Sequence, residues 1–275
     1  MEERDVKNQV IRHEDLDKKS DLENQKIFVA YPYFFDVFTA YRPKYLEVEK
    51  RIKARFLFAD RNLTGQSLLQ KIAQQILQSC ASIFDLSMWN LNVVAELGLA
   101  LGLDRKIFIL YNPVFTQEQD VPSDLRGIDR VQYKTFEELP GAILKCTYAS
   151  LPAEAENVVN QTLERFQLSV TPDKSKHYLE YFKNHDFKVR ELLRYFAKQE
   201  ESWFTTLVGA KNWRDLAEKM FQIFLARPSL NVEGLAFWTH QVEDEYNRHK
   251  KIDGTIDGFV DSPEYSMTFG DYLPP

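Results

Sequence analysis

One acidic residue, Glu96, interrupts an apolar helical pattern in the first half of the chain. The residues around it, VVAELGLALGL at 93–103, are valine, alanine, leucine and glycine on every side. A helix that is apolar on all its faces is normally buried, and a lone buried carboxylate is costly to keep charged. A carboxylate held in such a place can stabilise a cationic transition state, through its charge or through a covalent bond. Glu96 is therefore a candidate functional residue, for which a structural role is equally open.

Short apolar runs alternate with helical patterns around this residue. The runs predict five strands, at 26–31, 55–59, 81–86, 106–111 and 130–133. The inner face of the second helix is predicted to carry Leu68, Leu69, Ile72, Ile76 and Leu77. Strands that alternate with helices indicate a mostly parallel sheet that is covered on both faces. The predicted fold class is α/β, a five-stranded parallel flavodoxin-like sheet, followed by a smaller all-α domain.

A ligand site is expected where the strand order reverses. Such a sheet commonly has the order 2-1-3-4-5, and ligands bind beyond the carboxyl ends of strands one and three. Those strands end at Tyr31 and Asp85, and the helix of Glu96, predicted at 92–103, begins just beyond strand three. Asn92 precedes Glu96 by four residues and shares its helical face. We therefore expect Asp85 and Asn92 to line one hollow near Glu96.

Local signals predict several features of the helices. Pro43 suits the first turn of a helix that runs to about residue 54. Thr135 followed by Glu138 is a capping-box pattern that opens another helix. Gly98 and Gly102, four residues apart, are expected to free one strip of side chains and let their helix lie close against the sheet.

The same polar residues also have structural interpretations, which the sequence leaves open. Asn90 or Asn92 can cap the helix. Glu96 can lie in the first turn, where the helix dipole favours an acid, and Asp85 can hold a loop amide. From the residues alone the structural and the functional interpretations are evenly balanced, because perturbed carboxylates also occur in structural networks.

A basic residue, Arg126, lies in the stretch VPSDLRGID between strands four and five. Its loop is on the ligand side of the predicted sheet, so Arg126 could pair with a phosphate. It could also hold the loop together by bonding Asp124 or Asp129, and we favour that structural role.

A motif combines Asp85 at the end of strand three, the turn NLNV at 90–93 and ELG at 96–98. Together with KIFVAYPY at 26–33 and VPSDLRGIDRVQY at 121–133, it resembles the group that contains nucleoside 2-deoxyribosyltransferases and TIR-like domains. The group has a proline where this chain has Leu91. The resemblance covers about 26–133.

In the enzymes of this group the helix glutamate acts at an N-glycosidic bond, as the nucleophile of the transferases or as the acid that contacts the ribose in TIR NAD hydrolases. The resemblance therefore implies that Glu96 is the catalytic carboxylate. It implies that Asp85 and Asn92 position the ribose or the base, and that Tyr31 walls the pocket. NAD or a nucleotide would be the substrate or ligand, with no separate cofactor and no metal.

The second half of the chain is predicted to be helical. Helical patterns cover 152–168, 174–184, 188–200, 212–226 and 231–247, without a convincing strand. Asp253-Gly254 predicts a turn, and Ser262-Pro263-Glu264 predicts a helix start. The many aromatic residues are at helical spacing, which indicates a core and not a base-stacking surface.

Three stretches of this half carry a second resemblance: VRELLRYFAKQEESWF at 189–204, FLARP at 224–228 and IDGFVDSPEYSMTFGDYLPP at 256–275. They resemble the phycobilisome linker domain, an all-helical module of cyanobacteria, over about 185–275. A related helical domain of extracellular proteins shares EGLAFW and FVDSPEY. The resemblance implies a cyanobacterial source and a module that docks to a phycobiliprotein or another helical partner.

Composition narrows the class of protein. The net charge of −6 argues against an extended nucleic-acid surface, and no apolar run reaches membrane-spanning length. Cys80 and Cys146 lie in apolar settings and read as reduced core residues, which favours the cytoplasm. The charged segment 1–24 has no apolar core, so it is not expected to be a signal peptide. It is expected to be a mobile lead-in or else a short surface helix. The expected domains are then 25–149 and 150–275.

Two functional classes remain open from the sequence, beside a third possibility that both halves are degenerate interaction modules. In the first, the α/β domain cleaves or transfers at the N-glycosidic bond of NAD, a nucleotide or a nucleoside, and the helical domain controls, localises or oligomerises it, as in an antiviral defence effector. In the second, the chain is a binding protein without activity, which senses a nucleotide or assembles with the phycobilisome. Fold alone does not decide between them.

Overall fold

The structure is a computed structural model that describes residues 25–32, 38–58, 68–116, 125, 128, 130–200, 202–228 and 232–272. The chain divides into two compact units, Met1–Leu151 and Pro152–Pro275. We call the first the sheet unit and the second the helical unit. In the described ranges, no helix has both the length and the apolar character that crossing a bilayer requires.

Five strands form the sheet of the first unit. They are β1 (Lys26–Ala30), β2 (Arg55–Phe58), β3 (Ala81–Asp85), β4 (Ile107–Tyr111) and β5 (Arg130–Gln132). All neighbouring strands are parallel, in the order β2-β1-β3-β4-β5. Strand β3 is buried along its whole length, as expected for a central parallel strand with both faces covered. The predicted α/β class is confirmed.

Four α-helices accompany the sheet in the part of this unit that the structure describes. They are α1 (Phe38–Glu49), α2 (Leu68–Leu77), α3 (Leu91–Gly102) and α4 (Leu139–Ser150). Helices α2 and α3 pack on the face that carries Phe28 and Phe84, where Leu97 of α3 joins the apolar cluster. Helices α1 and α4 contact each other, and Tyr41 of α1 stacks on Tyr31, which follows β1. The two helix pairs therefore cover opposite faces of the sheet.

Two predicted helix starts are displaced. Pro43 is the sixth residue of α1 and not part of its first turn. A proline there removes only one backbone hydrogen bond, so the helix continues through it. Helix α4 begins after Glu138, whose Oε2 accepts from the N–H of Lys134 at 2.7 Å. The predicted capping box is therefore wrong, because the glutamate bonds the N–H of Lys134 and not that of Thr135, and Glu138 itself precedes the helix.

Several glycine and leucine positions of α2 and α3 face solvent. A Cβ built on Gly98 or Gly102 would meet nothing within 4 Å, so the prediction that these glycines bring α3 close to the sheet is wrong. Helix α3 instead turns Leu97 to the core, and the 100° step between residues carries Gly98 away from it. Leu68 and Leu69 at the start of α2 are half exposed, at 51% and 50%.

The helical unit consists of eight helices in its described part. They are α5 (Pro152–Arg165), α6 (Pro172–Asn184), α7 (Val189–Gln199), α8 (Ser202–Gly209), α9 (Trp213–Leu225), α10 (Val232–His249), α11 (Asp253–Val260) and α12 (Pro263–Thr268). The predicted start of α12 is confirmed, because Ser262 Oγ accepts from the N–H of Tyr265 at 3.1 Å. The predicted turn at Asp253-Gly254 is wrong, since both residues belong to α11.

Contacts between residues that are distant in the chain account for the residue types at several positions of the helical unit. Trp238 of α10 stacks against Phe259 of α11 with ring centroids 4.1 Å apart. A Cβ on Gly258 would lie 2.9 Å from the Trp238 ring, so any residue other than glycine would displace the ring. Glu245 caps α11 by accepting from the N–H groups of Gly254 and Thr255, at 2.7 and 2.6 Å.

Opposite charges join α7 to α11. Arg194 Nε donates to Asp257 Oδ1 at 3.0 Å, and Lys198 Nζ donates to Asp257 Oδ2 at 2.9 Å. Arg190, one turn earlier on α7, pairs with Asp261, the residue that follows α11, at 3.9 Å. The four-residue spacing on both helices matches the helical period, so the two motifs fit in one register.

Candidate active site

Buried hydroxyl groups converge on the carboxyl of Asp85, the last residue of β3. Tyr133 Oη donates to Asp85 Oδ2 at 2.6 Å, and Tyr41 Oη lies 2.8 Å from Tyr133 Oη. Asp85 Oδ1 accepts from the N–H of Ser87 at 2.9 Å. Burial raises the pKa of Asp85 to about 6, and the hydrogen bonds from Ser87 and Tyr133 limit that rise. Both oxygens of Asp85 are therefore engaged.

A strained turn follows β3. Met88 and Trp89 have φ angles of 62° and 49°, in the left-handed region that residues other than glycine seldom adopt. Such residues cost on the order of 1–3 kcal/mol each and persist only where surrounding groups fix them. Here Asp85 holds the N–H of Ser87, and Thr116 Oγ1 accepts from the N–H of Met88 at 2.8 Å. The buried carboxyl of Asp85 thus fixes the backbone that leads into α3.

Asn90 caps α3. Its Oδ1 accepts from the N–H groups of Asn92 and Val93, at 3.0 and 3.4 Å. The structural interpretation of Asn90 is thereby confirmed. The side chain of Asn92 is exposed in the first turn of α3.

Tyr31 belongs to an aromatic cluster and has no exposed surface. Its ring stacks on those of Tyr41 and Tyr45, with centroids 5.2 and 5.8 Å away. Through Tyr41 and Tyr133 this cluster is continuous with Asp85. The structure therefore brings Tyr31 and Asp85 together, in one buried layer under α1.

Glu96 lies in an apolar environment and is only 6% exposed. It is the sixth residue of α3, beyond the first turn, so the helix dipole does not account for it. Its Oε2 has no hydrogen-bond partner among the residues that the structure describes. Burial raises the pKa of Glu96 to about 7. At neutral pH the Glu96 side chain is therefore protonated in about half of the molecules.

Asp85 and Glu96 belong to opposite layers of the sheet unit. Phe84 and Leu86, on either side of Asp85, pack in the cluster that α3 completes. Because side chains alternate along a strand, Asp85 points to the other face. Asn92 is exposed, so the described residues do not form the predicted common hollow of Asp85 and Asn92. Arg126 lies outside the described residues.

Sequence reasoning missed the hydroxyl partners of Asp85. Tyr133 was predicted only as the end of strand five, and it directly follows β5 at the same edge of the sheet as Asp85. Tyr41 was not identified, because it precedes the helix start that was predicted at Pro43. A useful signal was available for Tyr133 and Tyr31, since a tyrosine at the end of a parallel strand can direct its hydroxyl toward the neighbouring strand ends.

The described ranges contain no group of three His, Cys, Asp or Glu side chains able to hold an ion. Cys80 and Cys146 are both free thiols, as predicted.

The fold and the site define a parallel α/β unit with a desolvated acid on the helix after its central strand. No family model, no curated protein and no solved structure matches the chain. The side chains themselves therefore provide the basis for a functional proposal.

Proposed function

We propose that the sheet unit acts at the N-glycosidic bond of NAD or of another nucleotide or nucleoside, with Glu96 as the key carboxylate. The observation that carries the proposal is the burial of this carboxyl, whose Oε2 has no hydrogen-bond partner in the described part of the chain. Such a group lowers the stability of a fold. Carboxyls with perturbed pKa values are concentrated at functional sites, where their chemistry justifies that cost.

The reaction suits a carboxyl of this kind. In hydrolysis the bond between C1′ of the sugar and the base nitrogen breaks, the base leaves with the bonding electrons, and a water oxygen bonds to C1′. The water loses one proton, which goes to solvent when neutral nicotinamide leaves NAD and to the departing base nitrogen when the substrate is a neutral nucleoside. In transfer, a nitrogen of a second base replaces the water. Positive charge develops on the sugar, and ionised Glu96 stabilises it through space or by a transient bond to C1′. Few solvent dipoles screen that charge at a buried site.

The other predicted site residues contribute to this proposal either directly, by contacting the ligand, or indirectly, by supporting the site. Asn92, exposed at the start of α3, is the candidate contact for the ribose or the base. Asp85 acts indirectly, since its oxygens already hold the Ser87 turn and Tyr133. Tyr31 supports the same layer through its ring contacts. A phosphate contact from Arg126 remains part of the proposal.

Release of the base tests the proposal. The purified chain is incubated with NAD and, separately, with purine and pyrimidine nucleosides, and free base is measured by chromatography. We expect Glu96→Gln to lower the rate by about 100-fold or more, because the neutral amide cannot stabilise a cation. Glu47→Gln in α1, whose side chain is 43% exposed, is the matched control and should keep the wild-type rate. An unchanged rate in Glu96→Gln would refute the catalytic role.

Binding without turnover is a second candidate function. The specific observation that favours it is the complete burial of Asp85, whose oxygens already accept from Ser87 and Tyr133, so this carboxylate is not accessible to a ribose hydroxyl. A ligand that binds only the folded chain raises the unfolding midpoint. A midpoint raised equally by NAD in wild type and Glu96→Gln, without release of base from either, would establish this second function and exclude the first for NAD.

The helical unit is proposed to localise or control the sheet unit by docking to a phycobiliprotein or another helical protein, or to a second copy of the chain. A role in antiviral defence is an analogy with this domain arrangement. Affinity capture from a cyanobacterial lysate tests the antenna partner, because phycobiliproteins are coloured and are measured directly by absorbance. Absence of that colour at every ionic strength would exclude the antenna role.

A further inference from the structure

The outward face of helix α3 carries no charged side chain. Its exposed residues are Leu91, Asn92, Ala95, Gly98, Leu101 and Gly102, which we call the α3 face. Glu96, the one charged residue of the helix, is buried, whereas Leu91 is 81% exposed. A surface helix normally presents charged and polar residues to water, so an uncharged face with exposed leucines indicates a protein interaction surface.

The centre of the α3 face is open. The turn of the helix places Leu91, Ala95, Gly98 and Gly102 in one strip along it. A Cβ built on Gly98 or Gly102 would meet nothing within 4 Å, so no described residue fills the space above them. Small residues there allow a second backbone to approach closely, while the Leu91 side chain stands out from the surface at one end.

The order of large and small residues along this strip is complementary to its own reverse. A two-fold axis through the middle of α3 would cross two copies of the helix in antiparallel directions. Leu91 of each copy would then lie opposite Gly102 of the other, so the large side chain at one end meets the residue without a side chain at the other end. Ala95 and Gly98 would lie at the crossing, and the antiparallel helix dipoles would attract each other.

Charge also favours a second copy as the occupant of the α3 face. Because the face is uncharged, a two-fold axis brings no like charges together. A partner with a charged surface would instead leave its own groups desolvated and unpaired there. The face has no tryptophan, lysine or arginine, the residues that hold helices at a lipid surface.

We propose that two copies of the chain form a two-fold dimer through the α3 face, with the two α3 helices antiparallel. Helix α3 has 12 residues and a length of about 18 Å, so one helix pair buries less than the roughly 800 Å2 per partner of a standard interface. Half-exposed Leu68 and Leu69 of α2, which contacts α3, enlarge the apolar surface. The dimer is therefore weak and dissociates in the micromolar range, and dilute protein is monomeric with this face open. The proposal does not depend on the activity of Glu96.

Sedimentation velocity of the intact chain, from about 1 μM to about 300 μM, tests the dimer. We expect the sedimentation coefficient to rise with concentration from the monomer value toward the dimer value. Leu91→Glu should raise the dissociation constant by about tenfold or more, because it places a carboxylate in an apolar contact. An acid in the first turn suits a helix N-terminus, so the variant is expected to fold. Leu46→Glu, at an exposed leucine of α1, is the matched control and should dimerise as wild type does.

A second substitution tests the antiparallel register. Gly102→Lys combined with Leu91→Glu in one chain places each new carboxylate opposite a new ammonium of the other copy. The double variant should dimerise about tenfold more tightly than Leu91→Glu alone, and all variants should keep the wild-type circular dichroism spectrum. A wild-type chain that stays monomeric at about 300 μM, a dimer that Leu91→Glu leaves unchanged, or equal weakening by Leu46→Glu would each overturn the proposal. A double variant no tighter than Leu91→Glu would overturn the antiparallel arrangement.

Discussion

The replacement of Glu96 by glutamine changes how the stability of the chain depends on pH. Its pKa in the folded chain is about 7, against an ordinary value of 4.5. Between these values the unfolded chain releases the proton and the folded chain keeps it, so the free energy of unfolding falls as pH rises. The ionisation of Glu96 thus lowers the free energy of unfolding by about 3 kcal/mol. This loss of stability is complete above pH 7 and absent well below pH 4.5.

Glutamine cannot ionise, so Glu96→Gln removes this deficit. Relative to wild type, the variant should gain about 2–3 kcal/mol between pH 5 and pH 8. Because Asp85 titrates in both proteins, its contribution cancels in the comparison. Urea unfolding followed by circular dichroism at both pH values gives the two free energies.

Glu47→Gln is the control for the general effect of removing one acid. Its partly exposed side chain pairs with Arg51 at 3.6 Å, so its effect should stay below about 1 kcal/mol at either pH. A stability difference between wild type and Glu96→Gln that is the same at pH 5 and pH 8 would refute the raised pKa, and with it the reasoning from burial.

Three further variants test the packing around the site and in the helical unit. Tyr133→Phe removes the donor to Asp85 and should lower the free energy of unfolding by about 1–3 kcal/mol, more at pH 8 than at pH 5, because the pKa of Asp85 rises further. Equal urea midpoints for wild type and variant would contradict this. Gly258→Ala places a Cβ 2.9 Å from the Trp238 ring and should lower the thermal midpoint, at a cost of about 1–3 kcal/mol. Gly98→Ala fills open space within α3 and should raise stability by about 0.5–1 kcal/mol, and a loss there would show that this face is covered.

The sheet could be predicted from sequence because its signals are local. Continuous apolar runs separated by helical patterns indicate buried parallel strands, and β1 and β3 both lie within the predicted runs. Element ends were less accurate, as at Pro43, because one lost hydrogen bond does not decide where a helix begins. The outward position of Gly98 was missed because small residues fit either a close contact or an open face.

The site could be predicted only in part. The burial of Glu96 followed from its apolar neighbours, which is a local property of α3. The network of Asp85 depends on Tyr41 and Tyr133, which are 44 and 48 positions from it in the chain. Pairings over such distances are set by how the sheet and helices pack, and single-sequence patterns do not contain them. The strained Met88–Trp89 turn has the same origin, because distant groups hold it.

The central claim is that Glu96 is held as a desolvated carboxyl that titrates near neutral pH. Carbon-13 NMR of the glutamate side-chain carboxyls, recorded from pH 4 to pH 9 on wild type and Glu96→Gln, measures this directly, because the signal absent from the variant belongs to Glu96. The account predicts that this signal titrates at about pH 7 in the free chain. A titration near the ordinary glutamate value of about 4.5 would contradict it.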